Sequence, residues 1–124
     1  MAFEKQLEEL RERKTKALGQ GGPAKIQRQH DRGRLTARER IEKLLDPGSF
    51  MEFGLLAHSD WPGDEDRTPA DGLIVGTGTV DGRRVALSAN DFTVLASTNA
   101  KINLRKLTQF REQVARWGIP YIHL

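Results

Sequence analysis

The side chains able to do chemistry are few and scattered. Three histidines stand at His30, His58 and His123. No two of them have the close spacing that places a pair of imidazoles on one metal. His123 lies at the end of an apolar run, where an imidazole could act as acid or base, but no carboxylate flanks it. Asp60, Asp64, Glu65 and Asp66 crowd one stretch. They lack the alternating ligand spacing of a calcium loop, and a solvated acidic loop is the plainer reading. Ser97, Thr98 and Asn99 are helix-capping residue types. The chain has no cysteine, which excludes thiolate chemistry, disulfides and Cys-based zinc sites. It has no G-x-x-x-x-G-K-[ST], the loop that cradles a nucleotide triphosphate. Gly76-Thr77-Gly78-Thr79-Val80 sits inside an apolar run with no helix behind it, so it is not a dinucleotide fingerprint.

The elements that must position these groups can be read from periodicity. Phe3, Leu7, Leu10 and Ala17 recur at helical steps over residues 2–18, a narrow stripe expected to be buried. Gly19-Gln20-Gly21-Gly22-Pro23 breaks it. A polar, basic stretch follows from Lys25 to Arg34. Thr36 and Glu39 then have the T-x-x-E spacing of a capping box, with Ile41, Leu44 and Leu45 as the apolar face behind it. Asp46-Pro47-Gly48 ends that helix. Residues 50–55 read as extended, and residues 58–71 as a long acidic loop. Gly72–Val80 and Arg83–Ala89 flank Asp81-Gly82, the favoured dipeptide for a two-residue hairpin turn. The return strand is expected to run on through Phe92, Thr93 and Val94. A further helix spans roughly Asn99 to Trp117, with Ala100, Leu104, Leu107, Phe110, Val114 and Trp117 facing inward and Gly118 as its C-cap. Ile119 to Leu124 reads as a strand covered on both faces, parallel to its neighbour across a right-handed crossover.

The 124 residues allow one small domain or part of a larger one, with 37% hydrophobic residues and a modest core. The net charge of +3 points weakly to anionic partners. It does not amount to a nucleic-acid surface, which needs a concentrated basic face. No apolar run approaches the roughly 20 residues that span a bilayer, and no leader pattern is visible, so a soluble cytoplasmic protein is expected.

Two long strings carry a resemblance. Gln29 to Gly54, Q-H-D-R-G-R-L-T-A-R-E-R-I-E-K-L-L-D-P-G-S-F-M-E-F-G, is similar to the carboxyltransferase (beta) subunit of biotin-dependent acyl-CoA carboxylases, the propionyl-CoA carboxylase beta chains among them. Asp71 to Val94 continues it. The resemblance implies a mixed α+β, α/β crotonase-like fold. It would comprise a ββα unit preceded by two N-terminal helices, the domain being incomplete. Residues 1–45 would form a helical segment, and 46–124 the first part of the domain that holds the acyl-CoA.

It also implies the reaction. A carboxyl group passes from carboxybiotin to the α-carbon of a coenzyme A thioester. Biotin arrives on a biotin carboxylase or carrier subunit, because this chain has no Met-Lys-Met acceptor. The family pattern further implies a homo-oligomer, a hexamer of the full subunit. In the family the strand matching Ile119–Leu124 leads into a glycine-rich oxyanion segment, so the sequence is expected to be the N-terminal part of a longer enzyme and inactive alone. Ala96-Ser97-Thr98-Asn99-Ala100-Lys101 aligns with a family Gly-Gly-Ser-x-Gly segment but replaces its glycines. The resemblance makes Ala96, Ser97, Thr98, Lys101, Arg105 and Lys106 candidate coenzyme A contacts, with capping and a solvated helix face as the plainer readings. A second reading is a non-catalytic assembly module docking through the helices before residue 46.

Overall fold

Strand β2 (Leu73–Val80) lies at the centre of the molecule because its side chains are apolar on both sides of the pleat. Successive residues point to opposite faces, so Leu73 and Val75 serve one core while Ile74 serves another. A computed structural model describes residues 2–94 and 101–124. Its elements are helices α1 (Glu4–Leu18), α2 (Pro23–Asp31) and α3 (Ala37–Leu44), strand β1 (Met51–Phe53), β2, β3 (Arg83–Asn90), α4 (Lys101–Trp117) and β4 (Tyr121–His123). A short helical turn, Pro69–Gly72, leads into β2.

The four strands form one sheet in the order β1-β2-β3-β4. β2 and β3 pair antiparallel from Leu73↔Asn90 to Val80↔Arg83. Asp81 and Gly82 make the turn with φ of 50° and 79°, the left-handed pair that matches strand twist. β1 adds antiparallel to β2, and β4 adds parallel to β3 with Ala86 opposite Tyr121. One face of the sheet is covered by α3, whose Ala37 and Ile41, with Leu45 just beyond its end, pack on Ile74, Val85, Leu87 and Ala89. The other is covered by α4, whose Phe110 and Val114 pack on Leu73, Val75 and Ala86. Gly76 and Gly78 are required by this packing. A Cβ at Gly76 would lie 2.3 Å from the Met51 carbonyl oxygen, and one at Gly78 would lie 2.5 Å from Leu45 Cδ1. The G-T-G-T-V string is therefore a close-packing feature.

Several expectations need correction. Three helices, not two, precede the ββα unit. α2 occupies the basic stretch, which shows no apolar period because the helix buries none of its residues. Pro23 at its first turn is the signal that could have revealed it. The stripe on α1 is not buried: Phe3, Leu7 and Leu10 are exposed and only Ala17 packs inward. β3 ends at Asn90 rather than running to Val94. Asp91 Oδ1 accepts from both the amide and the hydroxyl of Thr93, at 2.9 and 2.5 Å, and this local turn outcompetes the ladder. On α4, Leu104 is 49% exposed, its inward place being taken by Asn103 at 1%. Ala100 and the expected helix start at Asn99 lie outside the described residues. β4 forms an edge of the sheet among the described residues and is only half-buried.

Candidate functional site

The first half of α4 faces a strained turn. Ala70 and Asp71, the two residues before Gly72, hold φ of 53° and 48°. Left-handed backbone at such residues costs of order 1–3 kcal/mol each and persists only where the surroundings impose it. Two α4 side chains impose it here. The Lys106 ammonium donates to the Ala70 carbonyl at 2.9 Å and also to the Leu73 carbonyl. Asn103 Nδ2 donates to the Asp71 carbonyl at 2.8 Å. A helix face thus clamps the carbonyls of the turn that feeds β2.

The clamp carries unbalanced electrostatics. Asp71 is 4% exposed, and its Oδ2 has no hydrogen-bond partner among the described residues. Burial pushes its carboxyl above the usual carboxylate range. A hydrogen bond from the Asn103 backbone amide and the Lys106 charge oppose that only in part. Burial likewise pushes Lys106 down to about 8, against the raising influence of Glu52. Glu52 itself is held by a forked pair with Arg38 at 2.8 and 3.1 Å, which ties α3 to β1.

Beside the clamp lies a groove of about 630 Å³ between α4 and the end of β1. Its apolar lining comes from Phe53, Val75, Ile102, Phe110 and Trp117. The Phe53 ring stands 5.8 Å from Phe110 and 5.9 Å from Trp117, tilted against both. Arg105 and Lys106 supply the cationic part of its wall, and Gln109 and Gln113 the neutral polar part. An apolar slot with a few convergent polar groups is the ordinary form of a small-molecule site. This one suits a chain that is apolar at one end and anionic at the other.

The candidate residues separate clearly. Arg105 and Lys106 come together at the groove. Lys101 is exposed and lies 3.6 Å from Asp60 Oδ2. Ala96, Ser97 and Thr98 lie outside the described residues. Asn103, Asp71 and Ala70 were missed by sequence reasoning, since a polar residue at a buried helical position carries no periodic signal. His30 bonds Glu39 at 2.7 Å and so braces the capping box, and His58 bonds the Ser59 carbonyl. His123 Nδ1 and the Tyr121 hydroxyl each lie 2.5 Å from Ser88 Oγ. This resembles a nucleophile and base, but Ser88 is fully buried, so its hydroxyl cannot meet a substrate. The acidic-loop residues Asp64 and Asp66 pair with Arg67 and Lys16. No group of three or more metal-ligating side chains forms among the described residues.

A mixed sheet clasped between α3 and α4 is the arrangement this chain shares with solved carboxyltransferase structures. The carboxyl transferase domain profile matches residues 28–124. The chain belongs to the carboxyl transferase family. It is 39% identical to the propionyl-CoA carboxylase carboxyltransferase subunit of Haloferax mediterranei, across 100% of this chain and 25% of that protein. It is also 39% identical to the propionyl-CoA carboxylase beta chain of Cereibacter sphaeroides, across 95% of this chain and 24% of the relative. Among solved structures, transcarboxylase 12S with methylmalonyl-coenzyme A and methylmalonic acid bound superposes with a TM-score of 0.87 at 34% identity, covering 97% of this chain and 24% of that one. The chain therefore spans about a quarter of the length of the relatives it matches.

Proposed function

We propose that this chain forms the acyl-CoA-holding part of a biotin-dependent carboxyltransferase, which moves a carboxyl group from carboxybiotin to the α-carbon of an acyl-CoA. The observation that carries the reading is the apolar groove beside α4 with Arg105 on its wall. The acyl-pantetheine portion lies against Phe53, Phe110 and Trp117. Arg105, exposed and carrying five donors in a fixed fork, takes a phosphate. Lys106 has spent its ammonium on the Ala70 and Leu73 carbonyls, so it positions the turn rather than the ligand. Lys101 remains a candidate for an outer phosphate, and Ala96, Ser97 and Thr98 for contact near the thioester, on the strength of the family pattern.

Biotin, brought by a carrier subunit, supplies the activated carboxyl, and we assign no residue of this chain to it. The described residues offer no accessible general base at the groove, so this chain supplies binding and not turnover. The transcarboxylase 12S structure describes a hexamer assembly, and the same arrangement is proposed for the full subunit here, in the cytoplasm. No helix of the described residues is long and apolar enough to cross a membrane.

The test is a calorimetric titration with propionyl-CoA. Gln109 is exposed and lines the groove. Gln109→Trp fills the slot without touching the core, so it should weaken binding more than tenfold while the melting temperature holds. Equal binding by both proteins would defeat the reading. A second reading has one observation in its favour. Phe3, Leu7 and Leu10 form an exposed apolar stripe on α1, as an assembly module docking through its N-terminal helices requires. A chain that binds no thioester but associates through α1, and loses that association on Leu7→Glu, would establish it.

A further inference from the structure

Strands β3 and β4 run parallel and end side by side, at Asn90 and His123. Ligands of open sheets gather beyond the carboxyl ends of such strands. Here each end carries a polar side chain. Asn90 Nδ2 and His123 Nε2 stand 3.5 Å apart, and neither atom has another partner among the described residues. His123 is exposed and Asn90 half-buried, so solvent reaches both. The pair shares no residue with the groove beside α4.

What lies behind His123 decides which of its nitrogens carries the proton. Ser88 Oγ, fully buried, stands 2.5 Å from both the Tyr121 hydroxyl and His123 Nδ1. On the far side of Tyr121, Arg111 Nε donates to the phenol oxygen at 3.4 Å, with its guanidinium 5.5 Å from the ring centre. An arginine can only donate, so it feeds the chain from that end. Its charge also makes the phenol the stronger donor. The Tyr121 proton goes to Ser88 Oγ, and the Ser88 proton goes to His123 Nδ1. Nδ1 then accepts, and the ring hydrogen is left on Nε2, facing out. Nε2–H and the Asn90 amide are thus both donors, and two donors do not bond each other. They converge on an acceptor that the described residues do not supply. The backbone holds this pincer in place. Arg40 Nη2 donates to the Asn90 carbonyl at 2.9 Å, and the Leu124 amide donates to the Ser88 carbonyl at 2.8 Å.

We propose that His123 and Asn90 bind a carboxylate, one oxygen on His123 Nε2–H and the other on the Asn90 amide. Ser88 and Tyr121 are positioning residues that fix the imidazole. An ionised carboxylate only accepts, and it offers two oxygens side by side, which two adjacent N–H groups match. Hydrogen bonds to an ionised acceptor are also the stronger kind. The inference stands apart from the thioester reading of the α4 groove. The carboxylate belongs either to a free short-chain acid or to a carboxylated acyl group, and the test tells them apart.

The experiment titrates the nitrogen-15-labelled full chain with sodium propionate, read at the His123 ring nitrogens and the Asn90 side-chain amide. Without ligand, the neutral His123 ring should show its hydrogen on Nε2. Propionate should shift the His123 and Asn90 signals together to one saturation point. His123→Phe keeps a ring and loses the donor. It should weaken propionate about tenfold, the worth of one hydrogen bond to a charged group. Asn90→Ala should do the same. His123 is exposed and the Asn90 amide bonds nothing else among the described residues, so melting temperatures should hold. Tyr121→Phe leaves both donors and breaks the chain behind them. It should move part of the ring hydrogen to Nδ1 and weaken propionate by less than either donor variant, a signature that a packing role for Tyr121 would not give. Gln109→Trp should leave propionate binding unchanged, which separates failure here from failure at the α4 groove. Malonyl-CoA binding more tightly than propionyl-CoA, with the difference lost in His123→Phe, assigns the carboxylate to a thioester. Any other pattern, with propionate still bound, assigns it to a free acid; either sustains the pincer. No propionate shift at His123 and Asn90, a ring hydrogen on Nδ1 in the unliganded chain, or affinity indifferent to both donor variants overturns the proposal.

Discussion

At the far end of β2, Asp46 accepts from the Thr79 hydroxyl at 2.5 Å and from the amides of Asp81 and Gly82 at 3.0 and 2.9 Å. At the near end, Asp71 has a carboxyl oxygen with no partner among the described residues and sits in left-handed backbone. The Thr79 hydroxyl and the hairpin amides hold the Asp46 carboxyl below its usual value, while burial drives the Asp71 carboxyl above it. The α3 corner is built the same way as Asp46. Thr36 and Glu39 satisfy each other's amides, and the Thr36 amide with His30 keeps the Glu39 carboxyl low. One end of the strand is thus a satisfied structural joint. The other holds left-handed backbone and a buried carboxyl oxygen with no partner among the described residues, features of the kind that cluster at functional sites. The comparison separates a satisfied end from a strained one within a single small sheet.

The largest effect should come from removing the clamp. Lys106→Met strips the donor from two backbone carbonyls and should cost about 3 kcal/mol in urea unfolding. It should also change the pH dependence. Lys106 is lowered from 10.5 to about 8 in the folded protein. Between those values the unfolded chain binds the extra proton, so the native protein gains stability as pH rises through that window. Lys106→Met should lack the gain. A variant as stable as the parent, with the same alkaline limb, would mean that the turn holds itself.

Smaller effects should come from the two aspartates, with opposite signs. Asp71→Asn removes a carboxylate that burial disfavours, so it should raise the melting temperature near neutral pH. The native Asp71 contribution is most favourable at low pH and is lost as pH rises through its elevated value. Asp46→Asn should lower the melting temperature. The native Asp46 contribution is present above 3.8 and disappears as pH falls through its depressed value. Thermal scans across the acid range would distinguish them. Shifts of the same sign would dissolve the contrast between the two ends of β2.

The satisfied joint was the legible part. Thr36 with Glu39, Asp46-Pro47-Gly48 and Asp81-Gly82 act locally, so their spacing alone reports their geometry. The hairpin, α4 and the parallel β4 followed from apolar periods. The clamp was not legible. It depends on Lys106 and Asn103 meeting carbonyls more than thirty positions earlier in the chain, and no local pattern encodes such a contact. α2 escaped notice because it buries nothing, and the outward stripe on α1 because a helical period does not say what covers it. The family resemblance drew attention to Arg105 and Lys106 on α4, and the fold adds that Arg105 lines the groove while Lys106 bonds backbone carbonyls.

The most direct test of the account is a map of amide chemical shifts in the nitrogen-15-labelled chain on titration with propionyl-CoA. The account predicts the largest changes along the α4 groove, at Gly54, Ile102, Arg105, Lys106 and Gln109, saturating together. Shifts confined to α1, or no shifts at ligand saturation, would contradict it.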